Sequence, residues 1–528
     1  MRLVALIACS LFLTSCAKDA PPEPFSQLAE QFVYTSLSFS PVAATQVGYH
    51  THNNVNLDSE LDDYSPRSIA AQRRWYQDFR LRLERSQRAA QLSAEDKADY
   101  DIIQDQISLA LLEIDGIQNY RHNPTAYVEL AGNAVYTPFL LEYTDKPKRF
   151  SQIISRLRKL PALLEQARGN LVSSPAIWTK VAQQENEGNI ALIDQELRSA
   201  APPELRSEYD AAAKPALAAL KSFNEYLKNE LSQRSYDWQL GRNKYNQKFR
   251  YMLATDQSPD QILVGAEAEM KRVRERMLQL CLPFYQKLHP NAAGTPELNT
   301  VVSEVLTSIA QKHATPETYF SDARRDLEEA KQFVRSKDLL TLPARDNLQV
   351  IETPGFMRGI YGVGGFNAAP ALEPQLGAFY WITPIPKEWP AARVESKLRE
   401  YNYYGLKLLT IHEAMPGHYV QLEYANDIQP PLRRILRAVF GNGPYVEGWA
   451  VYATQLMLDE GYLDNSMELQ LTFLKQQLRM LANTILDVRM QTLGMTDQQA
   501  MDLMVKQGFQ ENEEATAKLQ RAKLSSTQ

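Results

Sequence analysis

The stretch Thr410-Ile411-His412-Glu413-Ala414-Met415-Pro416-Gly417-His418-Tyr419 decides the fold prediction. It contains two of the chain's seven histidines, six positions apart. Six residues of a straight α-helix turn through about 600°, so the two rings would splay by roughly 120°. Pro416 and Gly417 supply a break, because proline has no N–H to donate and glycine adopts backbone angles that other residues avoid. The sequence therefore predicts a helix that ends or bulges at 415–417 and returns His418 toward His412.

Apolar periodicity predicts helices on both sides of this break. Positions 398, 401, 405, 408 and 412 recur at three- and four-residue steps, which is the pattern of one buried helix face. After the break, the segment 446–459 also predicts a helix, and it carries Glu447 near its start. Gly448 and Ala450 are small, so this second helix can pack closely beside the first.

The polar residues of these two segments have the chemistry of a metal site. Two imidazoles and a carboxylate are the ligands of a catalytic zinc ion that keeps one position open for water. A further carboxylate beside that water can accept a proton and return it. A lone histidine on an apolar face is more often a hydrogen-bonded core residue. Here the second histidine, the adjacent Glu413, the break and Glu447 together favour a metal site and predict a zinc hydrolase.

The two motifs resemble those of a bacterial family called domain of unknown function eight-eight-five. Its marks are His-Glu-Ala-x-Pro-Gly-His, here 412–418, and Glu-Gly-Trp-Ala-x-Tyr, here 447–452. The family is similar to the gluzincin metallopeptidases, which include carboxypeptidase Taq. The resemblance implies a mainly α fold with a deep cleft and a small antiparallel β-sheet beside the active-site helix. It also implies a peptidase with one zinc ion held by His412, His418 and Glu447, and with Glu413 as the general base.

Three positions depart from the family pattern. Many relatives carry an arginine where this chain has Asn483, a histidine where it has Gln491, and a second glutamate where it has Thr454. The predicted zinc ligands are unaffected. The departures therefore concern substrate recognition and stabilisation of the transition state.

Further residues are predicted to contact the substrate or to support the site. Tyr452 and Tyr445 are candidate hydrogen-bond donors to the oxyanion of amide hydrolysis, with ordinary packing as the alternative. Arg358 and Arg489 are candidates for binding a substrate carboxylate. Asp487 is predicted either to orient a zinc-ligand histidine or to pair with Arg489.

The segment Gly377-Ala378-Phe379-Tyr380-Trp381-Ile382-Thr383-Pro384 predicts a β-strand, because aromatic and β-branched residues follow one another in it. Pro384 favours an edge position, where Phe379 and Tyr380 would bind an extended peptide substrate. A structural hairpin that covers the core is the alternative. The preceding glycine-rich stretch, 353–366, lacks the context of a phosphate loop and predicts a flexible cleft wall.

The N-terminus predicts export from the cytoplasm. Residues 1–16 place one basic residue before a short apolar run, which is typical of a secretory signal. Leu13-Thr14-Ser15-Cys16 resembles a bacterial lipobox, in which Cys16 is lipidated, and a plain signal peptide is the alternative. Ala17 favours, by the same analogy, an outer-membrane anchor facing the periplasm. The proline-containing residues 17–35 predict a tether.

Composition describes an ordinary globular body behind this leader. The chain has 528 residues, of which 44% are hydrophobic, and a net charge of −6 without a long basic run, so we expect no nucleic-acid partner. Later apolar runs are too short to cross a membrane, so the lipid would be the only membrane contact. Nothing in the sequence indicates an oligomeric state.

Helical patterns predict an N-terminal helical region over 36–338 and a zinc-binding catalytic region over 339–520, joined in one continuous fold. Beyond about Lys518 the polar tail is predicted to fray. Two functions remain as alternatives to a peptidase. One is a zinc-stabilised binding or scaffold lipoprotein without turnover, and the other is a zinc hydrolase of non-peptide amides such as cell-wall fragments.

Overall fold

The structure is a computed structural model that describes residues 22–89, 91–291, 297–358, 361–441 and 443–527. The predicted signal peptide and Cys16 lie outside these residues. Most of the described chain is helical and the sheets are small, which confirms the prediction of a mainly α fold with a small sheet. Among the described residues, no helix is both long and apolar enough to span a membrane.

The first part of the chain is helical, and side-chain caps start several of its helices. The helices before residue 339 are α1 (Phe25–Phe39), α2 (Pro41–Gln46), α3 (Pro66–Ala89), α4 (Ala94–Leu112), α5 (Asn119–His122), α6 (Pro124–Leu140), α7 (Lys146–Asn170), α8 (Ala176–Ala191), α9 (Arg198–Ala200), α10 (Arg206–Asn229), α11 (Gly241–Leu253), α12 (Pro259–Leu288), α13 (Leu298–Ala310) and α14 (Tyr319–Lys337). The Ser93 side chain caps α4 by accepting the N–H of Asp96. Ser258 and Gln261 form a reciprocal capping box at the start of α12.

The second part of the chain carries the two motifs. Its helices are α15 (Ala391–Glu400), α16 (Tyr403–Glu413), α17 (His418–Ala425), α18 (Pro431–Val439), α19 (Gly443–Asp459), α20 (Met467–Thr492), α21 (Asp497–Asp502) and α22 (Asn512–Leu524). The buried stripe that leads to His412 spans two helices rather than one. Asn402 starts the second of them, because its side chain accepts the N–H groups of Tyr404 and Gly405.

The sheets are small and the larger one is mixed. The strands are β1 (Thr51–His52), β2 (Val55–Asn56), β3 (Leu348–Glu352), β4 (Gly364–Asn367) and β5 (Ala378–Ile382). β5 lies in the centre, parallel to β3 and antiparallel to β4. The predictions of an antiparallel sheet and of an edge position for β5 are therefore wrong. β4, from the glycine-rich stretch, forms one edge of this sheet. Its backbone lies so close to β5 that a side chain at Gly364 would lie 2.4 Å from the Trp381 carbonyl oxygen.

The hydrophobic cores cross the boundary predicted between residues 338 and 339. Side chains of α1, α3 and α4 pack with Ile435 and Leu436 of α18. A second core joins α11–α13 to α20–α22, and a third joins α14 to the larger sheet and α16. Phe356 inserts into the core of α6, α7, α8 and α10. The chain after residue 338 is therefore packed against the chain before it through several shared cores.

Both ends of the described chain are more ordered than predicted. The tether prediction is wrong from Phe25 onward, because Phe25, Leu28 and Phe32 are buried at helical spacing in α1. The tail does not fray after Lys518, since α22 extends to Leu524 and the Thr527 N–H donates to the Asp487 carboxylate.

Candidate metal centre

The break between the two histidines is a closed turn at the end of α16. The N–H groups of Ala414 and Met415 both reach the Thr410 carbonyl, and the Gly417 N–H donates to the Ile411 carbonyl at 2.9 Å. A side chain on Gly417 would lie 1.8 Å from the His412 carbonyl oxygen, so the turn has room only for glycine. α17 then begins at His418. The predicted break is confirmed.

The second motif fastens α19 to this turn. Trp449 donates its indole N–H to the Pro416 carbonyl oxygen at 3.0 Å. Glu447 lies two positions earlier on the same helix, as predicted. The tryptophan therefore fixes the distance between the glutamate-bearing helix and the histidine-bearing turn.

The three predicted ligands converge on one point. Nε2 of His412 lies 3.4 Å from Oε2 of Glu447, and Nε2 of His418 lies 3.6 Å from the same oxygen. One ligand atom from each residue lies within 4.8 Å of the other two. Ligands bound at about 2.0–2.2 Å around one tetrahedral zinc ion stand roughly 3.3–3.6 Å apart. Two imidazoles and a carboxylate at this separation fit a zinc ion.

Electrostatics distinguish Glu413 from Glu447. Burial raises the pKa of Glu413, against the attraction of the two histidines. Burial also acts to raise the pKa of Glu447, but the neighbouring His412 and His418 imidazoles outweigh it and hold that pKa well below its usual range. Burial acts to lower the pKa of His412, but the Glu447 and Glu413 carboxylates outweigh this and raise it. Glu447 thus stays ionised, whereas Glu413 is protonated more readily than an ordinary carboxyl group.

The side of α16 facing away from the ligands is held by buried polar contacts. The Lys407 ammonium pairs with Asp326 of α14 at 2.6 Å. The Tyr380 hydroxyl of β5 lies 3.1 Å from the Thr410 hydroxyl. Tyr380 is fully buried there, and Phe379 packs against Leu141 in another cluster. Because β5 pairs on both sides and all of its residues are buried, it offers no free edge to an extended peptide. The substrate-binding role of these two aromatic residues stays a prediction.

The predicted carboxylate-binding and supporting residues lie in other contacts. Arg358 donates to the Thr353 carbonyl and pairs with Glu352, while Arg489 pairs with Glu267 of α12. Asp487, which was predicted to orient a zinc-ligand histidine or to pair with Arg489, has its described contacts elsewhere. Its carboxylate accepts hydrogen bonds from the Tyr245 hydroxyl at 2.6 Å and from the backbone of the C-terminal tail.

Both candidate oxyanion donors lie on the exposed part of α19. Tyr445 and Tyr452 are 61% and 57% exposed, and Tyr452 packs beside Trp449 with ring centres 5.9 Å apart. Neither lines the cavity that His412 and Glu413 share. Their catalytic roles stay predictions.

Two of the three departures from the family pattern have structural roles. The Gln491 side chain accepts the Leu240 N–H at 2.9 Å, and the Thr454 hydroxyl donates to the Ala450 carbonyl at 2.8 Å. Asn483, in contrast, lines the cavity beside His412 and Glu413. Only this departure changes the surface next to the candidate centre.

The cavity shows residues that sequence reasoning missed. It has a volume of about 310 Å³, and beside His412 and Glu413 it is lined by Tyr361, Tyr401, Arg479 and Arg521. Arg479 lies one helical turn before Asn483, a spacing that places both on the same face of α20. That spacing was the available signal. Arg521 belongs to the tail that was predicted to fray.

The fold and the site define a mainly helical protein with a candidate single-metal centre in a cleft. The chain belongs to the family described as "Bacterial protein of unknown function (DUF885)", whose model matches residues 41–528. No curated protein matches the chain.

Two solved structures share the fold over nearly the whole chain. One is described as a "putative lipoprotein of unknown function" from Shewanella oneidensis, with a TM-score of 0.75, 26% identity, and coverage of 96% of this chain and 90% of that one. The other is described as a "putative lipoprotein" from Colwellia psychrerythraea. It has a TM-score of 0.70 at 17% identity and covers 94% of this chain and 89% of its own, so it supports the fold alone.

Proposed function

We propose that this protein is a zinc-dependent hydrolase of peptide bonds, related to the gluzincin metallopeptidases. The observation that carries the proposal is the convergence of His412, His418 and Glu447, with Glu413 left over beside them in a cleft. A site that only stabilised the fold would not need this additional carboxyl group.

The residues divide the work of amide hydrolysis. His412, His418 and Glu447 would hold the ion, which when bound supplies a Lewis acid for the substrate carbonyl and lowers the pKa of water. Glu413 accepts a proton from the attacking water and delivers it to the leaving nitrogen. Its raised pKa suits both halves of this transfer. The Tyr361 side chain, in the same cavity, joins Tyr445 and Tyr452 as a candidate donor to the oxyanion.

The proposed place of action is the cell envelope. The solved relative from Shewanella oneidensis is described as a "putative lipoprotein", and residues 13–16 of this chain resemble a lipobox. A lipid on Cys16 would anchor the protein, in our proposal to the outer membrane and facing the periplasm.

The decisive experiment separates metal binding from turnover. The purified chain is expected to hold about one zinc ion and to cleave members of a mixed peptide library, with products identified by mass spectrometry. Glu413→Gln is expected to retain the zinc and to lose cleavage by at least about 100-fold, because a general base contributes 10²–10⁴ in rate. Glu395→Gln, an exposed carboxylate on α15, is the matched control and keeps full activity.

Two results would redirect the proposal. Unchanged cleavage by Glu413→Gln would contradict the assigned role. Zinc binding without cleavage of peptides would favour a scaffold protein, unless the same assay with muropeptides shows hydrolysis of cell-wall amides.

A further inference from the structure

Positively charged side chains lie at the cavity that contains Glu413. Arg479 of α20 and Arg521 of α22 line the same cavity as His412 and Glu413. The backbone of Gly362, which also lines it, accepts a hydrogen bond from Lys397 at 3.0 Å. Two helices therefore bring arginines to the cavity of the candidate active site, and Lys397 of a third helix contacts the backbone of its lining.

These cations exceed the negative charge that they surround. The buried Glu514 carboxylate lies 2.9 Å from Arg479, 3.3 Å from Arg521 and 3.6 Å from Lys397. Burial keeps the pKa of Tyr401 well above its usual value, so its hydroxyl is neutral as it donates to Glu514. One carboxylate thus faces three cations. These four charged groups together therefore carry a net positive charge.

The Arg479 guanidinium has donors left for a ligand. It carries five N–H groups, and its described hydrogen bonds use one to the Tyr401 hydroxyl and one to Glu514. Its side chain is 22% exposed. Glu514 and Tyr401 hold the guanidinium in place through one N–H of each terminal nitrogen. Three N–H groups, including Nε–H, have no described partner, so little ordering remains when an anion binds them.

We propose that Arg479, supported by Arg521, forms a carboxylate-binding subsite that selects substrates with an anionic group next to the scissile bond. The inference rests on the proposed function and adds its substrate class. A chain-terminal carboxylate and an acidic side chain offer the same chemistry, and guanidinium groups recognise both through paired N–H donors.

The test measures binding without turnover. Zinc-loaded full-length protein carrying Glu413→Gln is titrated calorimetrically with three peptides: N-acetyl-trialanine, its C-terminal amide, and the amide with glutamate at the middle position. At least one carboxylate peptide is expected to bind about 10-fold or more tightly than the neutral amide, because hydrogen bonds between charged groups are the strong ones. Which of the two binds identifies the source of the carboxylate.

Variants then assign the preference to the arginine. Adding Arg479→Gln is expected to bring the three affinities within about 2-fold by weakening only the anionic peptides, and Arg479→Lys to restore part of the difference. Lys475→Gln is the matched control, because Lys475 lies one turn earlier on α20 and pairs with buried Glu400 without lining the cavity.

Equal binding of all three peptides, or no binding by any of them, would overturn the subsite. So would an equal loss of neutral and anionic binding in Arg479→Gln, which is the result of a structural role. Because binding is read in a protein unable to turn over, a charge preference would stand even if the zinc-loaded native chain hydrolysed nothing.

Discussion

Histidine and carboxylate side chains meet both at His50 and at the pair His412–His418, but in opposite arrangements. Around His50, Nδ1 lies 2.8 Å from Asp58 and Nε2 lies 3.1 Å from Glu373, on opposite edges of one ring. At the candidate centre, two rings present Nε2 to a single oxygen of Glu447. The first arrangement spreads carboxylates apart, whereas the second gathers nitrogens together.

The distances show what each arrangement does. Separations of 2.8 and 3.1 Å are ordinary hydrogen bonds, so His50 clamps the N-terminal region to the loop that carries Glu373. Separations of 3.4 and 3.6 Å are long for hydrogen bonds but match neighbouring ligands around one ion. The buried His418 Nδ1 has no hydrogen-bond partner within the part of the chain that the structure describes. Direction and spacing, rather than residue type, separate a clamp from a metal site.

The sharpest way to break this comparison is to remove one histidine from each site. His418→Ala is expected to weaken zinc binding by at least about 100-fold, since even the loss of a residue that only supports a ligand costs 10- to 100-fold. His50→Gln is expected to leave zinc affinity within about 2-fold, because His50 contacts Asp58 and Glu373 rather than any of the three candidate ligands. Competition with a chromophoric chelator measures both. Equal losses in the two variants would erase the distinction.

The clamp should reveal itself in the pH dependence of stability. Burial lowers the pKa of His50, but its bonds to Asp58 and Glu373 outweigh this and raise it to about 9, from an ordinary value of 6.5. A raised folded-state pKa contributes stability that is complete below the unfolded value and disappears as the pH rises through the folded one. The free energy of unfolding is therefore expected to fall by up to about 3 kcal/mol between pH 6 and pH 10 through this group.

Urea unfolding of the native chain and of His50→Gln across this pH range isolates the effect. The difference in unfolding free energy between them should be largest at pH 6 and shrink toward pH 10. A difference that stayed constant, or grew with pH, would mean that His50 is not charged in the folded protein.

The smallest expected effect concerns the bond that sets the spacing of the metal site. Trp449→Phe removes the indole N–H that reaches Pro416, and should lower the free energy of unfolding by about 1 kcal/mol. Zinc affinity should fall by less than about 10-fold, because all three ligands remain. Trp381→Phe makes the same ring change where the buried indole N–H has no described partner, and should keep zinc affinity. Matching zinc affinities in the two variants would deny Trp449 a positioning role.

Local chemistry explains which features the sequence predicts. The break at Pro416 and Gly417 and the helix bearing Glu447 each depend on residues within one or two turns of each other. The ligand set follows because both motifs lie on such local elements, and the resemblance to known sequences joins them.

Features that depend on distant partners were missed. The central position of β5 requires β3 and β4 to pair on either side, and neither Phe379 nor Tyr380 signals this. The role of Arg521 depends on its ion pair with Glu514, which is buried between Lys397 of α15 and Arg479 of α20. Periodicity within a segment does not specify which other segment it will meet.

The position of α22 separates reactivity from selectivity along the chain. Residues 412–447 provide everything that would hold the ion, whereas Arg521 on α22 contributes only to the charged wall. Substitutions in this last helix can thus retune which molecules enter without disturbing the reacting groups. Members of the family can thus differ in substrate range through the C-terminal helix while the metal-binding residues stay the same.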